Sequence, residues 1–254
     1  MNRLADKVVI ITGGSSGIGA ETAQLCAEEG AKIVIAARHK DRLEKMAKDL
    51  AESGTEVLAI RCDIANPDDV KRLVGQTLTE FGQIDVLVNC AGILESGLRP
   101  VYEALDDDID DIIDINLKGT IFVCREVLKV MKETQRGSIV NVASLSGQTG
   151  AGASVFASAN GGIIALTKHI AFRFTGTNVR ANVICPGNTA TPMTVGQDLH
   201  NLNLEMIQAM RNHLDFSAPV ANPIDIANIA LFLASDEASA LTGQVLVADF
   251  GTSL

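Results

Sequence analysis

The short apolar run Val8–Ile11 ends in Thr12-Gly13-Gly14-Ser15-Ser16-Gly17-Ile18-Gly19 and passes directly into a helical pattern, and no other feature restricts the fold of this chain as tightly. Glycines there permit positive φ and close backbone approach. The helix N-terminus beyond the turn offers free N–H groups and the positive end of a dipole, which suit a pyrophosphate. The spacing departs from the dinucleotide G-x-G-x-x-G, and no Lys-Ser or Lys-Thr follows as a P-loop requires. A turn that is merely tight is the plainer reading; the strand–turn–helix context favours the anion site.

The same alternation continues along the chain. Strands are expected at Lys32–Ala37, Val57–Ile60, Ile84–Val88, Ser138–Val142, Val179–Ile184 and Val245–Ala248. Helices are expected at Ile18–Glu29, Asp41–Ser53, Asp68–Phe81, Ile109–Lys132, Val155–Phe174 and Ile224–Ala234. Asn66-Pro67 is a helix-opening pair. The pattern predicts one α/β domain over residues 1–254: a Rossmann-type, doubly wound parallel sheet of about seven strands with helices on both faces. Thr189 to Ala221 fits no strand and is rich in Met and Leu. A long insertion at a sheet's carboxyl edge is often a substrate lid; a helix in the core or an oligomer interface is the plainer alternative.

The strand at Lys32–Ala37 is followed by Arg38-His39-Lys40. An acid at this place would bind an adenosine ribose 2′-OH, whereas an Arg accommodates a 2′-phosphate. The expected cofactor is therefore NADP(H) rather than NAD(H). The plainer reading leaves Arg38 in solvent at the strand end. Asp and Glu outnumber Lys and Arg, 31 to 21, which argues against nucleic acid or an anionic membrane as partner. Cys26, Cys62, Cys90, Cys124 and Cys185 are scattered, as reduced buried thiols of a cytoplasmic protein would be. The N-terminus lacks a signal-peptide pattern, no stretch approaches a membrane span, and no metal-ligand spacing occurs.

Over its whole length the chain resembles the short-chain dehydrogenases/reductases. The resemblance is carried by Thr12-Gly-x-x-x-Gly17-Ile18-Gly19, by Asp63, by Asn89-Cys90-Ala91-Gly92 where the family has Asn-Asn-Ala-Gly, and by Asn116 in Ile115-Asn116-Leu117-Lys118-Gly119. Ser144, Pro186-Gly187 with Thr191, Thr242-Gly243 and Asp249 complete it. It implies that Gly13, Ser15, Ser16, Gly17, Ile18, Gly19, Arg38, Asp63, Ile64, Asn89, Ala91, Gly92, Asn160, Pro186, Gly187, Thr189 and Thr191 bind the cofactor. It also implies that Asn116 and Ser144 belong to the catalytic site, and that the protein forms homodimers or homotetramers through the helices of Asn116 and Phe156. That second helix carries Ile163, Ile164, Leu166 and Ile170, with Gly161-Gly162 allowing close approach.

The departure is central. Where the family has Tyr-x-x-x-Lys, this chain has Phe156-Ala157-Ser158-Ala159-Asn160, followed by the expected glycine pair. Carbonyl reduction needs a donor at the oxygen that becomes an alkoxide. A free Tyr, with a pKa of about 10, is a poor acid at neutral pH, and a cation one helical turn away lowers that value. Phe156 keeps the ring and loses the proton; Asn160 loses the charge. Loss of a general acid costs about 10²–10⁴-fold in rate. Tyr102 is the only tyrosine and lies far from this motif.

Other candidates are weaker. Ser158 should face away from Phe156 on the helix. His169 reads as structural, Cys90 and Cys185 as small buried residues, and the Asp106–Asp108, Asp110, Asp111, Asp114 run as a solvated helix start. Two functions remain open: an NADP(H)-dependent oxidoreductase of small carbonyl or alcohol compounds, similar to 3-oxoacyl-carrier-protein reductases, with slow chemistry or a water held by Ser144 as donor; or a non-catalytic cofactor-binding regulatory or partner subunit. Deliberate exchange of Tyr and Lys in an active enzyme is a third origin for the pair.

Overall fold

Strand β1 (Val8–Thr12) is buried along its whole length, so its alternating side chains feed two cores. Val9 and Ile11 point to one, Val8 and Ile10 to the other. Strand β2 (Lys32–Ala37) repeats the pattern, with Ile33 and Ile35 on the first face and Val34 and Ala36 on the second. Continuous apolar runs of this kind mark parallel strands covered on both sides. The structure, a computed structural model, describes residues 2–195 and 202–254.

The remaining strands are β3 (Val57–Arg61), β4 (Val86–Asn89), β5 (Arg136–Val142), β6 (Asn178–Pro186) and β7 (Val245–Ala248). Together they form one seven-stranded sheet in the order β3-β2-β1-β4-β5-β6-β7, parallel throughout. The helices are α1 (Gly17–Glu28), α2 (Lys40–Glu52), α3 (Pro67–Phe81), α4 (Asp106–Ile112), α5 (Thr120–Thr134), α6 (Leu145–Thr149), α7 (Ser154–Arg173), α8 (Pro192–Val195), α9 (Leu204–Arg211) and α10 (Pro223–Ala234). α1, α2 and α10 cover one face; α3, α5 and α7 cover the other. The expected doubly wound α/β architecture is the one observed. Strand order reverses between β1 and β4, so a crevice opens there at the carboxyl edge, where ligands bind in such sheets.

Several local details differ from the sequence-based expectation. The single helix expected at Ile109–Lys132 is longer, and its middle, Ile113–Gly119, is π-helical. π-helical turns are rare and appear mostly as single bulges inside α-helices, frequently at functional sites. Here Asn116, in that turn, accepts a hydrogen bond from Ile93 N and donates one to Ile93 O, both at 2.8 Å. Helix α6 was not expected at all; Ser144 caps it by accepting from Ser146 N. Among the described residues of 189–221 there is one strand-like bridge, Thr189 with Ala221, and the helices α8 and α9. None of α9's residues is buried, so it is not a core helix. Positions 196–201 of that stretch lie outside the described residues.

The apolar residues of α7 are also placed differently. Ile163, Ile164 and Ile170 are 4%, 7% and 3% exposed within the chain itself, so they are core rather than a free face for a second copy. Gly162 serves the same internal contact: a Cβ there would lie 2.8 Å from Leu117. Among the described residues, no helix is long and apolar enough to cross a membrane, and no group of His, Cys, Asp and Glu is disposed to hold a metal.

Candidate functional site

Two cavities lie side by side at the carboxyl edge of the sheet. The first, of about 310 Å³, is lined by Gly13, Ser15, Ser16, Gly17, Ile18 and Gly19 of the glycine turn, by Arg38, Asp63, Ile64, Ala91 and Gly92, and by Thr191. All of these were expected at a cofactor. The turn is built so that it cannot carry side chains at its closest contacts. Gly13 has a φ of +68°, and a Cβ on it would sit 2.9 Å from the backbone of Ala91. A Cβ on Gly19 would lie 2.4 Å from Gly13 O. Ser16, the N-cap of α1, makes no side-chain cap, so the first-turn amides face the cavity without a side-chain acceptor. A pyrophosphate supplies the acceptors they lack.

The far end of this cavity is cationic. Arg38 and Arg42 line it with His39, and Arg38, Arg42 and Arg61 share the groove beside it. Among the described residues neither Arg38 nor Arg42 is in an ion pair. The donor set therefore fits a dinucleotide with an extra phosphate on its adenosine ribose. Arg42, four residues beyond Arg38, was missed in the sequence, as were His39, Cys62, Ile115, Val142, Pro192 and Met193. Cys90 also lines the cavity, but its side chain packs against the core on the α1 side and burial pushes its thiol up to about 12, so it is no thiolate nucleophile at neutral pH. Cys185 is fully buried and pushed up to about 11 by the same cause.

Not every expected cofactor residue lines this cavity. Asn89 is 4% exposed and belongs to a buried polar chain instead. Thr12 Oγ1 donates to Asn89 Oδ1 (3.2 Å), Asn89 Nδ2 to Asn141 Oδ1 (2.9 Å), and Asn141 Nδ2 to Thr167 Oγ1 (2.8 Å). That chain ties β1, β4, β5 and α7 together across the sheet. Asn160 lines neither cavity. Its amide turns back to donate to Phe156 O at 2.8 Å, because α6 closes over it: a Cβ on Gly147 would lie 2.7 Å from the Asn160 Cβ. Pro186, Gly187 and Thr189 line the second cavity, and Thr191 borders both.

The second cavity holds about 380 Å³. Ser144 and Phe156 line it from one side, and Met193, Met210, Leu214, Phe216 and Val220 of the 189–221 stretch line it from the other. The Ser144 hydroxyl accepts from Ser146 N at 3.1 Å and keeps its own proton for a ligand oxygen. Phe156 presents a ring with nothing to donate. Asn116 is buried and does not reach either cavity; it fixes the backbone of Ile93 behind Gly92. Asn116→Ala would strand the two part-buried backbone groups of Ile93. A loss of about 2–4 kcal/mol is expected, at about 1–2 kcal/mol each, the lower part of the range for an unsatisfied group because Ile93 is only part-buried. Thermal unfolding should show it as a Tm lower by roughly 5–15 °C; an unchanged Tm would remove the clamp from the account. Ser158 and His169 are exposed and away from both cavities, as expected.

Glu95 was missed. It is 1% exposed, lines the second cavity, and accepts from Phe156 N at 2.8 Å through Oε2. Burial raises its carboxyl from the ordinary value, against the pull of the Phe156 and Val155 amides. No spacing marks it in the sequence; a lone acid after Ile93-Leu94 carries no motif.

Known proteins share this sequence pattern and fold. Residues 13–253 match the family model described as enoyl-(acyl carrier protein) reductase. The chain is 34% identical over 252 residues to 3beta-hydroxysteroid dehydrogenase 2 of Eggerthella lenta, covering 98% of this chain and 96% of that protein. It is 36% identical over 252 residues to a 3-oxoacyl-(acyl-carrier-protein) reductase of Thermotoga maritima, covering 98% of each. Among solved structures, levodione reductase superposes with a TM-score of 0.89 at 33% identity over 98% of each chain. An actinorhodin polyketide ketoreductase variant with NADPH superposes with a TM-score of 0.87 at 29% identity, over 98% of this chain and 97% of that one. With this sheet order, this glycine turn and these relatives, the chain belongs to the short-chain dehydrogenase/reductase family of oxidoreductases.

Proposed function

We propose that the protein binds NADP(H) in the first cavity and a small carbonyl or alcohol compound in the second, and that its carbonyl chemistry is slow because no tyrosine–lysine pair serves the reaction centre. The observation that carries this reading is the pair Phe156 and Asn160: a ring without a proton in the ligand cavity, and an amide bonded to its own helix. NADPH is the molecule bound in the polyketide ketoreductase relative, which supports the same cofactor here.

Each cavity has a distinct task. The α1 amides and the glycine turn hold the pyrophosphate, and Arg38 with Arg42 holds the 2′-phosphate. When bound, the nicotinamide supplies or accepts the hydride. Ser144 donates a hydrogen bond to the ligand oxygen. Met193, Met210, Leu214, Phe216 and Val220 cover the ligand and exclude water. The buried, bonded amide of Asn160 favours a second reading, a non-catalytic cofactor-binding subunit, over a weak enzyme with an intact proton path.

The test is binding followed by turnover. NADPH fluorescence should show saturable binding, and a panel of ketones should then consume NADPH slowly or not at all. Robust turnover refutes the reading. A companion substitution tests the cofactor. Arg38→Asp should weaken NADPH relative to NADH by about 10–100-fold, the value of one charge-assisted hydrogen bond. Fluorescence titration measures both; unchanged NADPH affinity would place the 2′-phosphate elsewhere.

A further inference from the structure

Glu95 is the one ionisable side chain buried against the ligand cavity among the described residues. Full burial of a glutamate is rare without a partner that satisfies it. Part of the explanation is local. Helix α7 begins after Ala153, which offers no capping side chain, and Glu95 Oε2 takes that place by accepting from Phe156 N at 2.8 Å. The other oxygen is not explained this way. Oε1 is buried without a hydrogen-bond partner, as are Arg99 Nε and Ser154 Oγ, and of the nearby amides Val155 adds to the pull of Phe156 on the carboxylate. Buried polar atoms in native proteins are almost always satisfied, by protein, water or ligand.

The cavity around it is otherwise apolar at depth, with Leu94, Leu98, Leu145 and Phe156. Its described lining contains no Lys, Arg or His. A second acid, Asp215, is exposed at the rim, where the Ser217 side chain and amide hold its carboxyl below the usual range. The charged groups that act on Glu95 from neighbouring elements are Asp108, which raises its carboxyl further, and Arg99, which lowers it. A ligand anion would thus meet two carboxyl groups in the lining and no lining cation, Arg99 acting on Glu95 from outside the lining. A ligand donor would meet an acceptor that lacks only a partner.

Resting on the assignment of the second cavity to the ligand, we infer that Glu95 is a specificity-determining residue: it selects an apolar ligand whose polar group donates hydrogen bonds, a hydroxyl or a protonated amine, over the same frame bearing a carboxylate. The free Oε1 accepts from the ligand while Oε2 keeps the cap on α7. Recognition of this kind discriminates strongly because the wrong ligand leaves the buried oxygen unpaired.

Three cage compounds of one apolar frame test this without any reaction: 1-adamantylamine, 1-adamantanemethanol and 1-adamantanecarboxylate. Calorimetry on the full chain should give the amine and the alcohol a Kd lower than that of the carboxylate by about tenfold or more, the scale of a hydrogen bond to a charged group. In Glu95→Gln the amide oxygen still accepts from Phe156 N, and its NH₂ turns a donor toward the cavity. That variant should lose or invert the preference while its Tm and NADPH affinity stay those of the parent chain. A carboxylate that binds the parent chain as well as the amine overturns the inference. So does an order of affinities unchanged in Glu95→Gln, or failure of all three compounds to bind. Failure of NADPH to bind would instead remove the proposed cofactor and leave these affinities as they are.

Discussion

The double substitution Phe156→Tyr with Asn160→Lys is expected to raise the rate of ketone reduction by about 10²–10⁴-fold, the usual contribution of a general acid. Phe156 already lines the ligand cavity beside Ser144, so a phenol oxygen is added at a prepared position. Its proton is then available to the oxygen that Ser144 contacts. A tyrosine alone, with a pKa of about 10, should gain less, because no cation stabilises its phenolate. The lysine must adopt a different path from Asn160, whose amide folds back on Phe156 O at 2.8 Å. The tight α6 contact at Gly147 closes that side to its stem, so the stem must leave the helix on another. The two changes act as a unit, and their separate effects should not multiply. The check is kcat/KM for the parent, both single variants and the double variant over one ketone panel. A double variant that folds, binds NADPH and gains nothing would show that the chemistry was altered elsewhere as well.

Gly19→Ala is expected to cost the cofactor at least about 100-fold in affinity. The added methyl would lie 2.4 Å from Gly13 O and 2.8 Å from Gly13 C, both backbone atoms that cannot swing aside. The turn must open to admit it, and the α1 amides then lose their aim at the pyrophosphate. Two charge-assisted hydrogen bonds at about 1.5–3 kcal/mol each cover a loss of this size. Overpacking should also reduce stability by about 1–3 kcal/mol. Gly75→Ala is the control. It lies in α3 with nothing within 4 Å of the new methyl. It should stabilise the helix by up to about 1 kcal/mol and leave NADPH binding unchanged. Titration and thermal unfolding of the two variants separate a local effect on the turn from a general effect of a lost glycine.

The sheet was legible because its strands are buried on both faces. Apolar runs such as Lys32–Ala37 and Val245–Ala248 stand out between polar turns, and both match the observed strands residue for residue. The cofactor cavity was legible in large part because its backbone needs glycines at fixed places, Gly13 and Gly19 above all. What stayed hidden depends on contacts distant in sequence. The π-turn of Ile113–Gly119 exists because Asn116 grips Ile93, a partner 23 residues away. Asn89 and Asn160 were expected at the cofactor, yet their side chains bond inward to Asn141 and Phe156. Glu95 is remote from α7 by 61 residues, and only the fold brings it to the helix start. The apolar residues of α7 followed a helical period that fits core and interface equally well; burial puts Ile163, Ile164 and Ile170 in the core, while Phe172 stays exposed.

Nicotinamide absorbance in a single-turnover experiment bears most directly on the reaction centre. The parent chain, in excess over NADPH and mixed with a saturating ketone, should retain the NADPH signal for minutes, while the Phe156→Tyr, Asn160→Lys chain loses it within seconds. A fast exponential loss in the parent chain would contradict the account, because it would require a proton donor at the ligand oxygen that Phe156 does not supply.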